Sequence, residues 1–439
     1  MDIKDIIITP LFFGLIMFAM YRIQYGTTTP LTRQFFMPAL ILKLSGAIFL
    51  GLIYQFYYSG GDTFNYFHES KIINSALYDS FSKWLILIFS DGTPNGSIYE
   101  FTSRLYWFRA DSEFLTSKIT SILSIFTFDT YSSTALLFAV ISFSGLWAMY
   151  KSFLRIYPDL YKEFALAFFF VPSVFFWGSG VMKDTITLGC ISWLFYACVN
   201  LFILKRKVFF SILILFIAVF VIKTLRVYIL LAFLPPLVLW IFLENNKRIR
   251  SGILRLMTYP FFIVLSGVII YFLIINVSKG DSRYALDQIG TFTKINAEYL
   301  YYVSVQQGGS AYYLGELDGT ITGTLQYVPS AIWVTLFRPY LWEVNNIVML
   351  LSAIESLILL LFTIYTIIRV GPPQIIKFTL QSPLLQFCLI FSLIFAFAVG
   401  ITSFNFGTLV RYKIPIMPFF LSALFILNYL RKKTLTQSK

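Results

Sequence analysis

Five short polar segments interrupt an otherwise apolar chain, and each holds residue types that could handle a phosphate or a proton. The first runs Gly60-Gly61-Asp62-Thr63-Phe64-Asn65-Tyr66-Phe67-His68-Glu69. Paired glycines let the backbone turn sharply or approach a ligand closely. A carboxyl group beside them, with an ordinary pKa of about 4, is ionised and can accept a proton. The plainer alternative is an Asx turn at the end of a helix. The second segment, Pro172-Ser173-Val174-Phe175-Phe176-Trp177-Gly178-Ser179-Gly180-Val181-Met182-Lys183-Asp184, is a corner of small residues. It places Lys183 and Asp184 where a new helix begins, a site that favours anions. Asp184 could instead cap that helix and pair with Lys183.

The third segment is Lys223-Thr224-Leu225-Arg226-Val227-Tyr228. Two cations between apolar runs are costly unless they meet water, headgroups or a phosphate, and snorkelling to headgroups is the simpler explanation. The fourth, Phe337-Arg338-Pro339-Tyr340-Leu341-Trp342-Glu343, offers a guanidinium that could grip a phosphate bidentately or clasp Glu343. The fifth, Asn405-Phe406-Gly407-Thr408-Leu409-Val410-Arg411-Tyr412-Lys413, adds two more cations. Glu355 lies alone in an apolar run, where an ionisable group is a functional candidate by default.

These residues must be positioned by membrane helices. The chain is 58% hydrophobic and 13% charged, with a mean hydropathy of +0.76. A soluble surface needs about 25% charged residues, whereas a lipid-facing one does not. Apolar runs predict an all-α, polytopic transmembrane bundle of about eleven spans, each of roughly 20 residues. They are placed at 6–24, 39–57, 132–150, 164–177, 184–203, 208–223, 226–243, 257–276, 346–368, 384–403 and 412–430. The whole of 1–439 is expected to form a single transmembrane domain. The run Ile6–Tyr21 lacks a basic leader and a small-residue cleavage site, so it is read as a first span rather than a signal peptide.

The net charge of +13 is not a nucleic-acid signal, because the basic residues cluster in short inter-span segments. The segments at 22–43, 151–163, 204–207, 244–256 and 369–383, with the tail from Arg431, hold more than half of the 34 Lys and Arg. Their only acids are Asp159, Glu163 and Glu244. That alternation places the N-terminus outside and the C-terminus in the cytoplasm. Two long loops, 58–131 and 277–345, then lie outside and carry semi-apolar pieces suited to interfacial helices: Phe81–Phe89, Phe114–Phe126 and Tyr327–Phe337. All five polar segments fall on the same outer side.

Cys190, Cys198 and Cys388 sit in apolar runs without a CxxC pair, which argues for packing rather than a zinc site. The single histidine excludes two-histidine metal chemistry. No cofactor is indicated, although a divalent metal remains compatible with the acids present.

With its acid at Gly61-Asp62-Thr63 just past a span, Tyr66 after it, and interfacial pieces at Phe81–Phe89 and Phe114–Phe126, the chain resembles the GT-C superfamily of membrane glycosyltransferases. The resemblance implies a polyprenyl-linked sugar donor, chemistry outside the cytoplasmic (inner) membrane, and Asp62 as the base. It implies a second acid in the next outer turn, where Asp184 stands. One extra span precedes the acid, and the paired acids of many members are missing beside Asp62. The segments Arg338-Pro339…Trp342-Glu343 and Gly407-Thr408…Arg411 also resemble O-antigen-type polysaccharide polymerases. Either family implies a role in cell-envelope polysaccharide synthesis with a glycan or lipid-linked acceptor. The expected donor-phosphate ligands are Lys183, Lys223, Arg226, Arg338, Arg411 and Lys413. The expected substrate contacts are Tyr66, His68, Glu69 and Glu343. A lipid-linked glycan flippase is the alternative of another class.

Overall fold

The computed structural model describes residues 2–246, 288–306 and 309–437, with a few helical residues between 260 and 276. The described residues form helices and one isolated bridge between Ala311 and Asn405, with no strand. The span expected at 257–276 is described only in part, and the start of the second long loop, 277–287, falls outside the described residues. Among the described residues eight helices are long and apolar enough to cross a membrane, which makes this a multi-pass membrane protein. They are Ile3–Thr27 (α1), Pro30–Phe56 (α2), Tyr131–Leu154 (α6), Lys183–Leu204, Val208–Asn246 (α10), Ile347–Val370 (α13), Pro383–Ser403 (α15) and Phe406–Gln437. Large apolar side chains such as Phe209, Phe216 and Ile368 stand exposed on their outer faces, as a lipid solvent permits.

Several expected boundaries move. The basic segment expected at 22–43 is almost wholly helical, because α1 and α2 are joined by only Thr28 and Thr29. Lys43, counted there as a loop cation, is buried inside α2 and donates to the Val174 carbonyl at 2.9 Å. The span expected at 164–177 is broken into Tyr161–Phe169 (α7) and Pro172–Phe176 (α8). Pro172 has no amide to donate and forces the preceding Val171 into extended backbone.

The two spans expected at 208–223 and 226–243 occupy one stretch of helix, α10, with non-helical backbone at Arg226. A straight helix of 39 residues would run about 58 Å. Instead Asn245 donates to the Phe202 carbonyl at 3.3 Å, and Trp193 and Phe195 touch Phe210 and Trp240. The chain therefore doubles back at Arg226 as an antiparallel hairpin.

Between α2 and α6 the first long loop folds into Asp62–Asp79 (α3), Phe81–Phe89 (α4) and Asp111–Phe126 (α5). Lys183–Cys198 (α9) continues through a π-helical turn, Val199–Leu204. The second loop contributes Ile289–Gln306 (α11) and Val328–Phe337 (α12). After α13 come Pro372–Gln381 (α14), α15, the short Phe406–Tyr412 (α16) and Met417–Gln437 (α17). The core is aromatic: Phe195 stacks on Trp240, and Phe153, Phe387, Phe391 and Phe419 close around them. Helices α6 and α9 meet at Gly145 and Gly189, where a Cβ on Gly145 would overlap the Gly189 carbonyl. Small residues give membrane helices this close approach, and here it seats the helix that begins with Lys183 and Asp184.

Candidate functional site

Four separate parts of the chain converge on one charged cluster. Helix α3 begins with Asp62, α9 with Lys183 and Asp184, and the hairpin turn of α10 contributes Arg226. Helix α16 adds Arg411. The Arg411 guanidinium lies between the two acids, donating from Nη2 to Asp62 Oδ2 at 3.3 Å and to Asp184 Oδ2 at 3.2 Å. Its Nε reaches Asp184 Oδ2 at 3.4 Å, and its Nη1 reaches the Tyr54 hydroxyl at 3.3 Å. Arg226 donates from Nη2 to the other Asp184 oxygen at 2.9 Å and from Nη1 to the Tyr228 hydroxyl at 3.1 Å. Its guanidinium lies 4.0 Å from the centre of the Tyr412 ring, a cation–π contact. Among the described residues the buried Arg226 Nε has no hydrogen-bond partner.

The two acids differ in access. The Asp62 side chain is 47% exposed and that of Asp184 7%. Asp184 therefore holds two guanidiniums in place, and Asp62 is the carboxylate that an incoming group can reach.

Local sequence explains the placement. Gly61 caps α3 with φ of +125°, a conformation side chains rarely adopt. A Cβ there would also stand 2.9 Å from the Tyr54 ring, whose hydroxyl accepts from Arg411. Thr63, next to Asp62, shares a 2.6 Å hydrogen bond with Tyr131, fixing the start of α3 against α6. At α9, Asp184 sits in the first turn, where the helix dipole favours an anion. At the α10 turn, the non-helical backbone of Arg226 (φ −153°, ψ 67°) accompanies its buried place in the cluster.

Lys183 forms a 2.5 Å ion pair with Glu113 of α5. Ser112 beside it donates to the Leu225 carbonyl at the hairpin turn, so the first loop is tied down over the cluster. Tyr66, one helical turn past Asp62, is buried against Trp107 with ring centres 4.8 Å apart. Burial pushes its hydroxyl well above the ordinary phenol range. The Asp62 and Glu113 carboxylates add to that rise, while Arg226 and Arg411 oppose it.

The other expected residues lie elsewhere. Glu69 accepts from the Trp107 amide and the Ser117 hydroxyl, both at 2.8 Å, and so braces α3 against α5. Burial lifts its carboxyl above the ordinary range, against the pull of those hydrogen bonds. His68 is exposed and lines a separate cavity of about 240 Å³ with Asp2, Asp5 and Lys71. Lys223 is exposed. Arg338 is clasped by Glu343 through two nitrogens and packed 5.1 Å from the Phe406 ring centre. Lys413 is buried and donates to Ser356 Oγ at 3.1 Å. Glu355, next to Ser356, accepts from the Ser173 amide at 2.6 Å, and among the described residues its second oxygen has no hydrogen-bond partner.

Sequence reasoning did not pick out Glu113, Tyr54, Tyr228 or Tyr412 as site residues. The two later tyrosines stand inside the segments singled out, beside Arg226 and Arg411. Glu113 carries no local signal beyond its place in an acidic first helical turn. Among the described residues no group of three or more His, Cys, Asp or Glu is placed to share a metal ion. No protein-family model, curated protein or solved structure matches the chain.

Proposed function

We propose that the chain is a GT-C-like glycosyltransferase of the cytoplasmic membrane, acting on its outer face in cell-surface glycan synthesis. The donor is a sugar on a polyprenyl phosphate or diphosphate, and the acceptor is a hydroxyl of a glycan or lipid-linked glycan. One observation carries this: Arg411 is shared between an exposed and a buried carboxylate, with a second guanidinium fixed behind it. A donor phosphate arriving at this end of the bundle can take the Arg411 nitrogen now given to Asp62. Asp62, released beside the sugar, accepts the acceptor hydroxyl proton. The acceptor oxygen bonds to the anomeric carbon, the bond from that carbon to the phosphate oxygen breaks, and both electrons leave with the phosphate. Arg411 and Arg226 stand where that charge grows.

Sidedness is supported by helix length. The 22 residues Lys183–Leu204 rise about 33 Å, enough to cross a hydrocarbon core of roughly 30 Å. They separate Asp184 from the basic turn Lys205-Arg206-Lys207, which suits the cytoplasmic face.

The test is sugar transfer by purified protein in nanodiscs from synthetic polyprenyl phosphate and diphosphate donors. Transfer with release of the lipid phosphate is expected, and Arg411→Lys, which loses the guanidinium fork that reaches Tyr54, Asp62 and Asp184 together, should slow it by about 10²–10³-fold. Absence of transfer from both donor classes overturns the proposal. Lipid-linked glycan transport is the second reading, favoured by Lys43, Glu355 and Lys413 buried around α8. It requires movement of an intact lipid-linked saccharide across vesicles without cleavage.

A further inference from the structure

A second cleft opens close to the charged cluster. It has a volume of about 450 Å³ and is lined by Tyr301, Gly309, Ser310, Glu343, Asn345 and Phe406, among others. The second loop builds it by pairing with the segment that leads into α16. The Phe406 amide donates to the Ser310 carbonyl at 3.1 Å, and the Tyr312 amide donates to the Phe404 carbonyl at 3.3 Å. Phe406 and Arg411 are at opposite ends of α16, five residues and about 7.5 Å apart along its axis.

The lining has a distinct chemistry. Among the described residues its only charge is Glu343, and that carboxylate is neutralised by the clasp with Arg338. The Arg338 guanidinium is itself walled by the rings of Tyr312, Tyr340 and Phe406. A phosphate or another anion therefore finds no free cation there among the described residues. What the cleft does offer is the ring of Tyr301, 37% exposed and paired with Tyr313 at 5.5 Å, together with an amide and a hydroxyl. Asn345 Nδ2 donates to Ser310 Oγ at 2.9 Å, so both groups are held in place. Glu343 Oε2 already accepts from the Arg338 Nε and from the Tyr340 amide. Its other oxygen accepts from Arg338 Nη2 and has a second lone pair to spare. Rings with one apolar face, plus fixed donors and acceptors in an electrically neutral groove, are what an uncharged sugar needs. Its C–H faces lie on the rings, and its hydroxyls exchange with the polar groups.

We propose that this cleft binds an uncharged saccharide, and that this saccharide is the acceptor glycan presented toward Asp62. The acceptor role rests on the glycosyltransferase reading above, but saccharide binding itself does not.

The test is saturation-transfer NMR on the full-length protein in nanodiscs. The probes are neutral tetrasaccharides built from glucose, galactose or rhamnose, at about 10 mM, above the millimolar range of weak ligands. At least one probe should receive saturation. Tyr301→Ala and Asn345→Ala should each weaken its binding by about tenfold or more, and Tyr301→Phe, which keeps the ring, should restore most of it. Saturation of no probe, or binding indifferent to Tyr301→Ala and Asn345→Ala, overturns the cleft assignment. Saccharide binding that depends on Tyr301, in a protein that never transfers sugar from a lipid donor, keeps the site and removes only its acceptor role.

Discussion

At the residue scale, two aspartates share one guanidinium yet differ in access. Asp184 is buried and accepts from both Arg226 and Arg411. Asp184→Asn would leave two guanidiniums short of a counter-charge in a dry site, and breaking such a buried pair costs roughly 3–5 kcal/mol. The expected result is a marked fall in melting temperature in detergent, with weaker donor binding in whatever folds. Asp62→Asn loses a half-exposed partner and should melt close to the wild type. Glu69 gives a pH signature of a different kind. Its carboxyl is raised in the folded protein, so the folded state binds the proton more tightly than the unfolded chain. Stability then falls as pH rises from the ordinary carboxyl value near 4.5 to the raised folded value, and levels off above it. Melting curves across that window should show the fall, and Glu69→Gln should flatten it.

At the element scale, the turns that carry the cluster are specified by small residues and by interrupted helices. Gly61→Ala adds a side chain at φ +125° and pushes it into the Tyr54 ring. Backbone strain of this type costs about 1–3 kcal/mol. Because Tyr54 also holds Arg411, the variant should lose donor affinity along with thermal stability. Unchanged melting and unchanged affinity would show that Gly61 has no positioning role. The polar segments that interrupt the apolar runs were legible in the sequence, since ionisable groups among apolar residues stand out. The way they pair was not. Nothing local in Asp62 or Arg411 reveals that they meet across 349 residues of chain, and nothing in Arg338 chooses Glu343 over a phosphate. The reversal at Arg226 was visible because two cations rarely stand inside a continuous apolar helix. Lys43 was misplaced because hydropathy sees its charge but not the Val174 carbonyl that receives it.

At the scale of the whole molecule, a charged cluster lies at one end of the bundle and a basic turn at the other end of α9. Single-cysteine labelling with a membrane-impermeant reagent tests this directly. Positions 62 and 411 should label from one side of the membrane, and positions 205 and 432 from the other. Labelling of 62 and 205 from the same side would break the proposed topology. The membrane class of the protein was readable from composition alone, because 13% charged residues cannot clothe a water-soluble body of this size. The number of crossings was less readable, since Pro172 divides one apolar run into two short helices.

The central claim is that the reachable carboxylate, Asp62, takes the acceptor proton while Asp184 only fixes the guanidiniums. The most direct measurement is single-turnover sugar transfer from a labelled polyprenyl-linked donor by Asp62→Asn, with donor binding measured on the same preparation. The account predicts donor binding within a few-fold of the wild type and a transfer rate lower by about 10²–10⁴-fold, the usual contribution of a general base. Transfer by Asp62→Asn at the wild-type rate, from a donor bound equally well, would contradict it.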